Sequence, residues 1–203
     1  MRKMDPDRHE AKRRQILKAA AACFSRKGFH RTSTAEICTE AEMSPGNLFH
    51  YFPTKQAIIA ALVEEERGQT ADYFAQVRDT ADPLGEILGF VDIALLYADT
   101  SDYLRLVIDI SAEAMRDTQI AGLVSGADDD VRHALADLLR RAAALGQTDP
   151  SLDPEDAARW IVAVIDGIFS RTAVDPGFQP KSQRTMARRL VARFLAPPPG
   201  PRP

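Results

Sequence analysis

Apolar residues recur along this chain three and four positions apart, which is the spacing of one face of an α-helix. In the first such segment the apolar face consists of Ile16, Ala20, Cys23 and Phe24. Gly28 follows as a helix stop, which predicts a first helix over about residues 9–27. The same reasoning predicts later helices at about 33–41, 45–51, 54–80, from 83 onward, 101–116, 127–146, 154–174 and 181–196. No stretch alternates apolar and polar residues as a half-buried strand does. The sequence therefore predicts an all-α protein of about nine helices, with residues 118–127 connecting helices six and seven.

The last two predicted helices differ in how their apolar residues are placed. Residues 160–165 are apolar around the whole circumference, so helix eight needs to be covered on more than one side. Helix nine is amphipathic, with Met186, Leu190, Val191 and Phe194 on one face and arginines on the other. Either helix eight is the central helix of the protein's own core, or a surface from outside the chain covers part of it.

Residues 33–55 predict two short helices joined by a tight turn. Ser33 and Glu36 have the spacing of a capping box at the start of the first helix. Ser44 suits the N-cap of the second helix, and Pro45 suits its first position, where no backbone donor is missed. Two helices in this arrangement are typical of a helix-turn-helix, whose second helix enters the major groove of DNA.

In this region the chain resembles the tetracycline-repressor (TetR) family of bacterial regulators. The resemblance rests on Gly28-Phe29, Thr32-Ser33, Ile37, the run from Ala41 to Phe52, and Pro53-Thr54-Lys55. It covers about residues 10–65. Glu42 stands where the family usually has Gly in the turn, and a left-handed conformation costs a non-Gly residue about 1–2 kcal/mol. Phe49 stands where many members have Tyr.

The helix-turn-helix predicts a surface that contacts DNA. We expect Asn47 to bond an adenine edge, because that pairing suits the geometry of an amide. Hydroxyl groups, helix N-termini and the Lys55 ammonium are expected to bind phosphates. For Asn47 and His50 the alternative is an exposed polar side chain without a DNA contact. The predicted DNA-binding residues are Ser33, Thr34, Ser44, Gly46, Asn47, Phe49, His50, Tyr51 and Lys55.

The resemblance also implies a C-terminal bundle that binds a ligand and forms a dimer through its last two helices. The predicted interface residues are Ile161, Val164, Ile165, Ile168, Met186, Leu190 and Phe194. The predicted pocket residues are Tyr97, Tyr103, Leu106, Ile110, Glu113, Trp160, Asp166 and Phe169. For any single pocket residue the alternative is a cap, a surface group or an interface contact. The implied domains are 1–55 for DNA binding, 56–196 for ligand binding and dimerisation, and 197–203 as a disordered Pro-rich tail.

The distribution of charge agrees with a DNA-binding N-terminal segment, although the net charge of −3 does not. Residues 1–55 contain eleven Lys and Arg against six Asp and Glu, a net charge of +5. Residues 56–203 contain fifteen against twenty-three, a net charge of −8. A small basic segment joined to an acidic remainder is the expected electrostatic pattern of a DNA-reading domain fused to a second domain.

Other classes of protein find little support in the sequence. No apolar run approaches the roughly 18 residues of a transmembrane helix, and the charged N-terminus lacks a signal-peptide core, so we expect a cytoplasmic protein. Cys23 and Cys38 are expected to be reduced core residues. Metal-ligand spacings, phosphate loops and catalytic motifs are missing, so we expect no metal, no cofactor and no enzymatic activity.

The sequence thus predicts a transcriptional regulator, with repression released by a small and mainly apolar ligand. A homodimer would place two recognition helices on a palindromic operator. The alternative is a DNA-binding regulator without a small-molecule trigger, controlled by a partner or by its abundance. A helical-bundle enzyme is a third hypothesis, which the missing catalytic motifs and the basic N-terminal segment oppose.

Overall fold

The computed structural model describes residues 6–197, and in that range it contains nine helices and no strand. The helices are α1 (Pro6–Lys27), α2 (Thr34–Glu40), α3 (Pro45–Tyr51), α4 (Lys55–Val77), α5 (Pro83–Ala98), α6 (Ser101–Ala114), α7 (Thr118–Ala144), α8 (Pro154–Val174) and α9 (Pro180–Leu195). The prediction of an all-α fold with about nine helices is confirmed. None of these helices is both long enough and apolar enough to cross a membrane. Apart from Pro197, the predicted tail at 197–203 lies outside the described residues.

The start of α7 is the helix boundary that differs most from the prediction. Residues 118–127 were expected to be a connection, but α7 already begins at Thr118. The Asp117 carboxylate accepts two backbone N–H groups of the first turn, at 2.8 and 3.2 Å, and so supplies a cap. Ile120 in that turn is 1% exposed. Gly122 destabilises a helix by about 1 kcal/mol relative to Ala. Burial of Ile120 offsets this cost, so the first turns of α7 are stable.

The chain folds into two compact units. Unit 1 consists of Met1–Arg67 and Arg105–Ser125, and unit 2 consists of Gly68–Leu104 and Gly126–Pro203. Unit 1 is larger than the predicted N-terminal domain, residues 1–55, because it also contains the start of α4 and segments of α6 and α7.

The core of unit 1 is built on the apolar face of α1. Its central side chains come from α1 to α4 and are almost completely buried: Ile16, Ala20, Phe24, Ile37, Leu48, Ile58 and Ile59. Cys23 and Cys38 are buried free thiols in the same core, which confirms their predicted role as core residues. Since α2 and α3 each contribute a fully buried residue, their opposite faces are held in a fixed orientation toward solvent.

The core of unit 2 is centred on α5, which packs against α8 and α9. Its buried side chains include Ile87, Val91, Leu95, Leu135, Leu139, Ile161, Ile168, Val191 and Leu195. Helix α8 is therefore a core helix of its own unit along one face. Ile161 and Ile168 were predicted to contact a second copy, but they are 1% and 5% exposed within this chain. A side chain that its own core already surrounds has no surface left for a partner.

Candidate DNA interface

The start of α2 is fixed by the predicted capping box, which the structure confirms. The Ser33 N–H donates to the Glu36 carboxylate at 2.8 Å, and the Glu36 N–H donates to Ser33 Oγ at 3.2 Å. The Lys27 ammonium also bonds this carboxylate, and together with Ser33 it lowers the pKa of Glu36 to about 2. The carboxylate is therefore charged at neutral pH, and the first turn of α2 is held by an ordered cap.

The turn between α2 and α3 is closed by a Schellman motif with Glu42 in the left-handed conformation, at φ 50°. The Met43 N–H donates to the Cys38 carbonyl at 2.9 Å. The Glu42 N–H donates to the Thr39 carbonyl at 3.2 Å. The backbone thus adopts the turn that the family usually builds with Gly, and its hydrogen bonds are complete despite the side chain of Glu42.

Helix α3 has one buried residue and an open opposite face. The Ser44 hydroxyl caps its start by accepting the Asn47 N–H at 3.3 Å, as predicted. Leu48 is completely buried and anchors the helix in the core of unit 1. The exposed residues of α3 and its cap are Ser44, Pro45, Gly46, Asn47, Phe49 and His50. Exposed amide, imidazole and backbone groups on one short helix are suited to contact base edges and phosphates.

Thr34, Tyr51 and Lys55 are half-buried, unlike the rest of the predicted DNA-binding set. The Lys55 ammonium donates to the carbonyls of Phe29 and Thr32, at 2.6 and 2.9 Å. It also lies 4.3 Å from the centroid of the Phe29 ring. Desolvation by burial lowers the pKa of Lys55. Two of its three N–H donors are therefore used inside the protein, and one remains for a phosphate.

A contact that sequence reasoning missed joins α1 to α3. The imidazole of His9 packs against the Tyr51 ring in a tilted arrangement, with 4.6 Å between centroids and 37° between planes. One turn further on, the Arg13 guanidinium lies 5.7 Å from the centroid of the Phe52 ring. His9 and Arg13 are spaced i, i+4 and continue the face of Ile16, so the periodicity contained the signal.

Two family models match the chain. The model for bacterial regulatory proteins of the tetR family matches residues 16–62, which contain the helix-turn-helix. The model for the C-terminal part of BetI-type transcriptional repressors matches residues 90–196, more than half of the chain. The protein belongs to the TetR family. It is a DNA-binding regulator of transcription, as the helix-turn-helix predicted.

Curated and solved relatives of this TetR-family regulator span most of its length. The transcriptional regulator UidR of Escherichia coli K12 is 29% identical over 163 residues, which cover 78% of this chain and 80% of UidR. The transcriptional repressor Rv1474c of Mycobacterium tuberculosis is 26% identical over a region that covers 85% of this chain and 88% of Rv1474c. The structure of Salmonella enterica GusR superimposes with a TM-score of 0.79 at 28% identity, covering 96% of this chain and 99% of that one.

Three of the predicted pocket residues in this TetR-family chain lie in unit 1. Leu106 and Ile110 pack against the core of that unit. Glu113 is 6% exposed, and its carboxylate pairs with His30 Nε2 at 2.8 Å. A second α6 carboxylate, that of Asp109, accepts the backbone N–H of Phe29. These groups therefore stabilise the segment between α1 and α2, which is a role that the sequence did not indicate.

The remaining predicted pocket residues lie in unit 2. The rings of Tyr97 and Tyr103 are stacked with centroids 4.7 Å apart, and the Phe169 ring lies 6.2 Å from that of Tyr103. Trp160 is 63% exposed and has no comparable ring contact among the described residues. Asp166 is on the exposed side of α8, yet neighbouring atoms remove much of its hydration and raise its pKa, with a smaller contribution from Asp128.

The predicted interface residues fall into three groups by exposure. Ile161 and Ile168 are buried in unit 2, while Val164 and Ile165 are half-buried against the same core. The α9 residues form an exposed row with one member per turn: Met186, Leu190 and Phe194. Trp160, which the sequence assigned to the pocket, and Val174 are exposed apolar residues of α8.

Proposed function

We propose that this protein is a homodimeric repressor that binds a palindromic operator through α3 and is released by a small effector. The observation that carries the proposal is the construction of α3. Leu48 is fixed in the core, and the exposed residues around it include an amide and an imidazole, with no carboxylate on the helix. A helix with this rigid anchor and an open polar face without carboxylates is suited to the major groove.

Each DNA-binding residue has a proposed role that follows from its position. Asn47 lies in the first turn of α3 and would bond an adenine edge. The N-termini of α2 and α3, capped by Ser33 and Ser44, would approach phosphates with their backbone N–H groups, with Thr34 beside them. Gly46 would allow close approach, since nothing lies within 4 Å of a Cβ placed there. The remaining contacts would come from Phe49, His50, Tyr51 and the third N–H of Lys55.

The exposed apolar residues of α8 and α9 support the homodimer. Leu190 is 51% exposed and Trp160 is 63% exposed, although both are large and apolar. An isologous interface between α8 and α9 of two copies would remove both from water, and stable interfaces bury about 1,200–2,000 Å² in total. The proposed interface therefore contains Trp160, Val164, Ile165, Val174, Met186, Leu190 and Phe194, without Ile161 and Ile168.

The proposed effector is small, mainly apolar, and neutral or cationic. The contacting rings of Tyr97, Tyr103 and Phe169 would supply apolar area. Asp166, whose carboxyl group is partly desolvated, would disfavour a second negative charge. An effector releases the operator if it binds the DNA-free conformation more tightly than the DNA-bound one. Membership of the TetR family favours this hypothesis over a regulator without a small-molecule trigger.

The proposal can be tested by selecting bound duplexes from a random DNA library and measuring their affinities by fluorescence anisotropy. We expect the wild type to select a palindrome with half-sites about 34–36 Å apart. Asn47→Ala should lose about 1–3 kcal/mol of discrimination at one position of each half-site. Gln76→Ala, which removes an exposed amide from α4, is the matched control and should leave the preference unchanged. If the wild type enriches no sequence, the proposed operator binding is incorrect.

A further inference from the structure

The start of α1 places an aromatic ring directly on a residue of the recognition helix. The His9 and Tyr51 rings are 4.6 Å apart between centroids, and both residues are half-buried. The planes are tilted by 37°, and the separation is at the short end of the range for aromatic pairs. The two residues are 42 positions apart in the chain, so the contact is made by the fold and not by a local turn.

His9 belongs to a part of α1 that is tied to the helix-turn-helix at two further points. The Gln15 side-chain amide donates to the Ala41 carbonyl at 2.7 Å, next to the turn that joins α2 and α3. The Arg13 guanidinium lies over the Phe52 ring, directly after α3. The His9 ring is therefore presented by a helix with a defined position, and it is not carried on a free terminal segment.

Contacts on several sides restrict the Tyr51 ring. It packs against the core of unit 1, and the His50 ring meets it edge-on at 5.4 Å. His9 supplies a third contact, from α1. With His9 truncated to Ala, this side of the ring would be open to water, and the tyrosine could sample more than one side-chain conformation.

We propose that His9 is a positioning residue for DNA recognition, which holds Tyr51 so that its hydroxyl group meets the DNA backbone. The inference rests on the proposed function, which assigns Tyr51 to the DNA interface. The physical reason is preorganisation: a side chain that is already ordered loses less conformational entropy when it binds. In this arrangement α1 contributes to DNA affinity through a residue that does not itself touch DNA.

A double-mutant cycle in DNA affinity tests this role. The single variants are His9→Ala and Tyr51→Phe, and the latter keeps the ring in the core while removing the hydroxyl group. With Tyr51 present, His9→Ala should weaken binding to the selected duplex about 2–10-fold, as expected from the strength of aromatic pairs. In the Tyr51→Phe background the same change should weaken binding less than twofold. His9→Phe retains an aromatic ring at this position and should bind within about twofold of the wild type.

Controls separate positioning from stability and from charge. Lys18→Ala removes an exposed cation from the same helix and reports the general effect of charge on α1. Thermal melting of each variant shows whether a weaker complex results from partial unfolding.

The possible outcomes distinguish this proposal from the proposed function. If the wild type selects an operator but the two changes are additive, the positioning role of His9 is overturned and operator binding stands. If His9→Lys binds like the wild type while His9→Phe does not, the residue acts through a charged or hydrogen-bonding contact, which also overturns the proposal. If the wild type selects no DNA, both proposals fail.

Discussion

At the scale of single residues, the structure changes the role of Lys55 more than that of any other predicted DNA-binding residue. The sequence placed its ammonium on a phosphate, whereas two of its donors bond carbonyls that lie 26 and 23 positions earlier in the chain. The segment between α1 and α2 therefore depends on this side chain. The carboxylates of Asp109 and Glu113 are close enough to influence it electrostatically.

Lys55→Ala should consequently reduce both stability and DNA affinity. Two part-buried carbonyls lose a charged donor, which should lower the free energy of unfolding by about 1.5–3 kcal/mol. Loss of one cation at the interface should reduce the slope of log affinity against log salt by about one. Urea denaturation measures the first effect and a salt series in anisotropy measures the second. Unchanged stability, relative to the exposed-lysine control Lys18→Ala, would show that the carbonyl contacts are not energetically important.

At the scale of the elements, one carboxylate joins α9 to α5. The Asp92 side chain is 13% exposed and one of its oxygens accepts from Arg184 and Arg188, at 2.8 and 2.7 Å. Hydrogen bonding to Arg184 is the largest contribution that holds the pKa of Asp92 below its usual value. The other oxygen is buried without a partner among the described residues, so the pair is not fully satisfied. The apolar inner face of α9 and these ionic contacts with Asp92 hold the helix against its own unit. The outer row of apolar residues on α9 remains exposed.

The lowered pKa of Asp92 predicts an acid-dependent loss of stability. A carboxylate whose pKa is lower in the folded state than in the unfolded state stabilises the fold above its unfolded pKa, and this contribution is lost as pH falls through the folded pKa. Wild-type stability should therefore begin to decrease as the pH falls toward the unfolded pKa of about 3.9, and it should go on decreasing below that pH because the folded pKa is lower. Asp92→Asn should be less stable at pH 7 by about 1–3 kcal/mol and should lose less over the acid range.

Urea denaturation at a series of pH values checks this prediction. The matched control is Asp72→Asn, which changes an exposed carboxylate on α4. If Asp92→Asn and Asp72→Asn show the same pH profile, the ion pair between α5 and α9 does not contribute to stability.

At the scale of the whole molecule, we expect a homodimer because α9 and α8 both expose apolar residues. Within α9, Val191 is 1% exposed while the adjacent Leu190 is 51% exposed, so the two faces of the helix have different partners. The inner face is covered by the chain's own core. The outer face is the surface that we propose a second copy covers.

Leu190→Asp should convert dimers to monomers at micromolar concentration, as measured by light scattering. Because Leu190 is already exposed in the single chain, a charge there should affect the dimer interface much more than the core. Ala75→Asp introduces the same charge at an exposed position of α4 and should leave the dimer intact. A wild-type protein that is monomeric under these conditions would contradict the proposed homodimer.

The sequence by itself determined the features that depend on neighbouring residues. These features include most of the helix starts and the caps supplied by Ser33 and Ser44, which are governed by residues within about five positions of each other. The spacing of apolar residues and of capping side chains records such local interactions directly. The linked motif of the helix-turn-helix was specific for the same reason, and it identified the family.

Only the tertiary structure decided which partner each side chain has. A helix that is apolar all round gives no sign of which face is internal, so the burial of Ile161 and Ile168 could not be read from the pattern around Trp160. The start of α7 depended on the burial of Ile120 among residues distant in sequence. The carbonyls that Lys55 binds and the ring that Tyr51 contacts are likewise brought to these side chains by folding. The apolar spacing places His9 on the inner face of α1, but it does not show which residue of α3 His9 meets.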